Sequence, residues 1–253
     1  MSIFDVFRLK LNISNQQPKQ KDDRKAECPN CHKILSKIPG AKTKCPYCDD
    51  FMFVRTRPKD NIRVVVTKAE AEKIDEEWTI VAGTRDIFVA EKEEFEKEKE
   101  MLQKRFGGKE PSDNDVRWGL LNKQLLEHIK NGDWGLYRNA KFKMAEILRG
   151  EMRLKEALRT YFEVYYLDLN GPNNLGGITD PEILKEFPAF NPEDFGFLAP
   201  GISELIALLA KRLNLNKEEL KKIFIENNSR VEKYLRLSIS PEQAWLSLNK
   251  EIE

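Results

Sequence analysis

Apolar residues recur at the three- and four-residue spacing of amphipathic helices over most of the chain. Only between residues 33 and 66 does the pattern shorten to that of strands. Three strand-like runs lie there, at residues 33–38, 51–57 and 62–66. Pro39-Gly40 follows the first run and Pro58 to Asn61 separates the last two, which predicts a small three-stranded sheet. Ahead of it, Ile3, Phe4, Phe7 and Leu11 fall on one face of a short amphipathic helix over residues 1–11. A polar stretch containing Pro18 then reads as a linker over residues 12–25.

Beyond the sheet the pattern is helical. Thr67-Lys68-Ala69-Glu70 forms a capping box that opens a helix carrying Ala71, Ile74 and Trp78 on one face. A highly charged helix is expected at residues 88–106, with Phe95, Leu102 and Phe106 as its apolar positions and its charge run as a solvated face. After Gly107-Gly108 another helix covers residues 113–130. In the last third, Asp180-Pro181 and Asn191-Pro192 open short helices, while Asn216 and Ser240 open longer ones. Core faces there come from Leu205, Leu208, Leu209 and Leu213, then Leu220, Ile223 and Phe224, then Val231, Tyr234 and Leu235, and finally Trp245, Leu248 and Ile252. The expected fold is α+β and predominantly α. Its segments are 1–25, 26–66, 67–110, 111–171 and 172–253.

All four cysteines fall in the sheet region, as Cys28-Pro29-Asn30-Cys31 and Cys45-Pro46-Tyr47-Cys48 with thirteen residues between the pairs. A two-residue gap lets both sulfurs of a pair reach one metal, and two such pairs supply the four thiolates of a closed tetrahedral zinc site. A disulfide reading needs an exported chain. Asp5, Arg8 and Lys10 interrupt the apolar run that a signal peptide requires, so a cytoplasmic location with free thiols is expected. The two histidines are His32, a substitute ligand or a solvent-facing neighbour of the first pair, and His128. The knuckles and strands resemble the zinc-ribbon superfamily over about 40 residues. That resemblance implies one structural Zn2+ on Cys28, Cys31, Cys45 and Cys48. The chain departs from the family pattern at His32 and Asp49, which stand where a glycine of positive φ is usual.

Charge is unevenly distributed behind a net of +1. Residues 1–68 hold 15 Lys or Arg against 7 Asp or Glu, whereas residues 69–100 hold 5 against 12. A basic metal module suits an acidic ligand, nucleic acid included, or docking on its own acidic neighbour. Lys42, Lys44, Arg55, Arg57 and Arg63 are the candidate phosphate contacts, with Phe51, Phe53 and Tyr47 available for stacking. Strand arginines on so small a module also serve simply to keep it soluble.

Residues 138–171 form a unit of 34 residues in which Ala145, Leu148, Ala157, Tyr161 and Val164 take the small and large packing positions of a tetratricopeptide repeat. Gly150-Glu151-Met152-Arg153 is its inter-helix turn. Trp118, Leu121 and Asn122 suggest an earlier helix pair, but Trp134 stands where that family needs a small residue, so the region resembles the family without forming an array. The resemblance implies a protein-binding face on the first helix, at Asn139, Phe142, Glu146 and Arg149. An ordinary helical hairpin fits the same pattern.

No GxSxG, P-loop or HExxH motif is present, no base–nucleophile pair is evident, and the longest apolar run of the helical half, residues 205–210, is too short to span a bilayer. The expectation is therefore a non-enzymatic adaptor with a protein partner, the alternative being nucleic-acid binding by the basic ribbon. The combination of tether, ribbon and helical tail also resembles uncharacterised proteins of bacterial and prophage origin.

Overall fold

The computed structural model describes residues 26–252, so the amphipathic helix and linker expected at residues 1–25 lie outside the described residues. The chain is α+β and mostly α. It divides into two compact units between Glu96 and Lys97.

In the first unit, strands β1 (Thr43–Lys44), β2 (Phe51–Thr56) and β3 (Arg63–Val66) form an antiparallel sheet in that order. Thr43 pairs with Met52 and Lys44 with Phe51, while Val54 pairs with Val65. The alternation in β2 buries Met52 with Cys28, Leu35 and Cys45 and leaves Phe51 at the surface. Helix α1 (Lys68–Val81) starts at the capping box of Thr67 and Glu70 and buries Ala71 and Ile74. Two bonds tie it to β2. Arg55 Nε donates to Asp75 at 2.7 Å, and the Trp78 indole donates to the Thr56 carbonyl at 2.6 Å.

The strand expected at residues 33–38 does not form. Its backbone closes the first cysteine loop instead: Cys28 N–H donates to the Lys33 carbonyl at 3.0 Å and Leu35 N–H to the Ala26 carbonyl at 2.8 Å. Only Ile34 pairs in the manner of a strand, with Glu27. The first strand of the sheet is β1 instead.

Helix α2 (Arg85–Arg105) contains the division between the units. The second unit continues with α3 (Asp113–Asn131), α4 (Trp134–Gly150), α5 (Leu154–Leu169), α6 (Pro181–Glu186), α7 (Ile202–Arg212), α8 (Lys217–Leu235) and α9 (Pro241–Ile252). Helices α4 and α5 form a hairpin, and α3 packs on α4 through Leu121, Leu125, Ala140 and Met144. Eight apolar residues of α5, among them Leu158, Tyr161, Phe162 and Tyr165, are almost wholly buried. A helix that is apolar on most sides needs cover on most sides, and α7, α8 and α9 supply it. Phe224 of α8 is central there, its ring 5.1 Å from that of Phe162 and 5.7 Å from that of Trp245.

Three expectations change in this unit. Asn191-Pro192 opens a single turn, because the Asn191 side chain accepts from the Glu193 and Asp194 N–H groups and its amide donates to the Asp194 carboxylate at 2.6 Å. Leu208 and Tyr234 are exposed, since the inward stripe of α7 runs Ile202, Ile206 and Leu209, and that of α8 runs Leu220, Phe224 and Asn228. Glu98 sits in the charge run of α2 yet is only 2% exposed, with its carboxylate paired to Lys123 of α3. The close approach is possible because residue 119 of α3 is glycine, and a Cβ there would collide with the Glu98 carboxylate.

Candidate metal centre

Two copies of one loop bring the cysteines together. Cys45 N–H donates to the Asp50 carbonyl at 2.8 Å, as Cys28 N–H does to Lys33. His32 N–H returns to the Cys28 carbonyl at 2.9 Å, as Asp49 N–H does to Cys45 at 3.0 Å. Closing such a loop requires a left-handed residue after the second cysteine. His32 and Asp49 adopt it, with φ of 59° and 61°, where glycine would do so without strain. Each then pairs with the residue just before its own loop. His32 Nδ1 lies 3.0 Å from Glu27 Oε1, and Lys44 Nζ lies 2.7 Å from Asp49 Oδ2.

All four sulfurs lie within 4.8 Å of one another. Cys28 Sγ is 3.9 Å from Cys48 Sγ, and Cys31 Sγ is 3.8 Å from Cys45 Sγ. An ion about 2.3 Å from four tetrahedral sulfurs sets them about 3.8 Å apart, so the donor set fits one metal ion. The same distances are far longer than the roughly 2.05 Å of a disulfide, and all four cysteines are free thiols. Cys28 and Cys45 are buried while Cys31 and Cys48 are half-buried. His32 points its ring to Glu27 and is not in the group, and His128 lies in α3 of the second unit.

The thiols do not ionise alike without a cation. Burial raises Cys45, but the N–H groups of Tyr47 and Cys48 and the neighbouring thiols outweigh it and bring it down to about 7. For Cys48 the Asp50 N–H lowers the thiol, yet burial and the three other thiols together push it up to about 12. The Lys33 N–H lowers Cys31 in the same way, and burial with the Cys28 and Cys45 thiols turns the balance upward. Four thiolates this close repel one another, and a bound dication is what lets all of them persist.

The five basic residues singled out from the sequence are not equally available. Arg55 is bound to Asp75, and Arg57 donates to Asp60 at 2.6 and 3.2 Å. Arg63 donates to the Gly40 carbonyl. Lys44 is paired with Asp49, and its ammonium lies 5.6 Å from the Phe51 ring centre. Lys42 instead lies over two rings, 4.5 Å from Phe51 and 5.1 Å from Phe53. Sequence reading also missed Lys33, 5.1 Å above the ring of Tyr47.

On α4, Asn139 is exposed, with its side-chain oxygen accepting from Arg138 at 3.2 Å. Phe142 is half-buried against the core, edge-on to Tyr161 at 5.7 Å. Glu146 accepts from Arg149 at 2.7 Å and from the Tyr161 hydroxyl. A buried pair the sequence did not signal lies beside them. Arg138 grips the Asp168 carboxylate with two donors, one at 2.5 Å, and Asp168 also accepts from Ala199 N–H at 3.1 Å.

Compared with protein-family models, curated proteins and solved structures, the chain finds no match. Among the described residues, no helix is long and apolar enough to cross a membrane.

Proposed function

We propose that the chain is a non-enzymatic, cytoplasmic interaction protein in which residues 26–66 form a zinc ribbon around one structural Zn2+ and the helical region docks a protein partner. The approach of four sulfurs within 4.8 Å supports the metal-binding part of this reading. Four thiolates fill a tetrahedral zinc and leave no position for water or substrate. Zinc here supplies cross-linking and charge neutralisation, which so small a sheet needs because its core has only four buried side chains.

The TPR-like hairpin supports docking through its neighbour more than through its own first helix. Phe142, Glu146 and Arg149 are engaged within the fold, whereas Leu126 and Ile129 stand exposed three residues apart on α3. The test compares proteins retained from native extracts by the wild-type chain and by a Leu126→Glu/Ile129→Glu variant of equal stability. A partner retained only by the former supports the reading; identical sets contradict that face.

A second reading, nucleic-acid contact by the ribbon, is favoured by one observation. Lys42 stands over two aromatic rings, and among the described residues no carboxylate is paired with it.

A further inference from the structure

A groove of about 440 Å³ runs beside β1, one of the two edge strands of the sheet. Its wall carries Lys37, Lys42, Lys44 and Tyr47 and, among the described residues, contains no Asp or Glu. The remainder is mostly small or apolar, including Gly40 and Ala41, so a ligand backbone meets little steric hindrance. Two large aromatic side chains flank this cationic wall with half their surface open, Tyr47 at 53% and Phe51 at 50% exposure. Phe51 is the cross-strand partner of Lys44. Each ring already holds a lysine ammonium near its face, Lys33 at Tyr47 and Lys42 at Phe51.

We propose that this groove binds single-stranded nucleic acid, with phosphates on Lys37, Lys42 and Lys44 and bases stacked on Tyr47 and Phe51. The proposal rests on the second reading above and narrows it to a place, a strand state and a residue set. Open rings select bases whose faces are free, and a duplex hides its base faces in its own stack. An acidic peptide would satisfy the lysines but leave both rings without planar partners. The module around the groove is basic, with eight Lys or Arg against four Asp or Glu over residues 26–66. The Lys44–Asp49 pair does not block the site, because both side chains are largely exposed and such a pair is weak enough for a phosphate to displace. Arg55, Arg57 and Arg63 are assigned to holding the sheet and its turns together, since each is bonded within the unit.

The experiment is fluorescence anisotropy of the intact, zinc-loaded chain with labelled oligo-dT and oligo-U, with a duplex of equal length and an oligo-glutamate peptide as comparisons. Single strands are expected to bind at low salt at least tenfold more tightly than duplex or peptide, with affinity falling as salt rises at a logarithmic slope of about −2 for three phosphates. The ratio of oligo-dT to oligo-U affinity assigns the source as DNA or RNA. Tyr47→Ala and Phe51→Ala should each weaken binding about 5- to 150-fold, the range of one lost base stack. Tyr47→Phe should restore it, and Lys42→Gln with Lys44→Gln should flatten the slope. Zinc content equal to wild type shows that each variant is folded. Strong binding lost with Arg55→Gln/Arg57→Gln but kept in Tyr47→Ala would overturn the groove while sparing nucleic-acid contact by the ribbon. No oligonucleotide binding at low salt would overturn both, and equal binding of the acidic peptide would make the surface a protein-docking one.

Discussion

His32 and Asp49 occupy equivalent positions, each four residues past the first cysteine of its pair and each in the left-handed region. Their side chains repeat the same contact to the residue preceding the loop, Glu27 in one copy and Lys44 in the other. The backbone, not the imidazole or the carboxylate, is what closing each cysteine loop requires here. His32→Gly is therefore expected to keep metal affinity and ribbon stability within about 1 kcal/mol, because glycine takes this φ freely. His32→Val should cost about 1–2 kcal/mol or more, since a β-branched residue is strained there. Thermal unfolding of the metal-loaded variants distinguishes the two, and equal losses would place the requirement in the imidazole.

The Arg138–Asp168 pair is expected to be the most sensitive polar contact of the helical unit. Asp168 is fully buried and Arg138 nearly so. Asp168→Ala leaves a buried guanidinium without its partner, at a cost of about 3–5 kcal/mol. Replacing both, as Arg138→Met with Asp168→Leu, should cost clearly less than Asp168→Ala alone. Urea unfolding of the single and double variants checks this, and additive losses would contradict it.

Phe142 should behave as a packing residue. Its ring lies against Tyr161 and 5.4 Å from the Arg138 guanidinium. Phe142→Ala is expected to cost about 1–3 kcal/mol, below the 3–5 of a fully buried aromatic. An unchanged melting temperature would restore Phe142 as a free anchor.

What the sequence made legible was local. The loop of each Cys-x-x-Cys pair, the capping box at Thr67, the helix start at Asn216 and the hairpin turn at residues 150–153 depend on neighbours a few positions away, and each appears where its pattern placed it. The misread features depend on distant partners. Glu98 is paired with a lysine 25 positions on, and Arg138 with an aspartate 30 positions on, so neither burial is visible in the charge pattern. Arg55 looked free for phosphate because its partner, Asp75, lies 20 positions away on a helix. The strand expected at residues 33–38 failed because loop closure at the cysteines claimed its backbone groups first.

Removing the metal should separate the two units in stability. A strong chelator is expected to unfold the three-stranded sheet while most helical signal in far-ultraviolet circular dichroism persists, because the helical unit has its own aromatic core. Simultaneous loss of both signals would show that the helices also depend on the metal.

Metal analysis of the purified chain is the decisive test of one structural zinc on Cys28, Cys31, Cys45 and Cys48. Mass spectrometry under native and denaturing conditions, with elemental analysis, is expected to find one zinc per chain in the wild type and a large loss of affinity in Cys45→Ser. A folded wild-type sheet without stoichiometric metal, or a Cys45→Ser variant that retains zinc as tightly, would contradict the account.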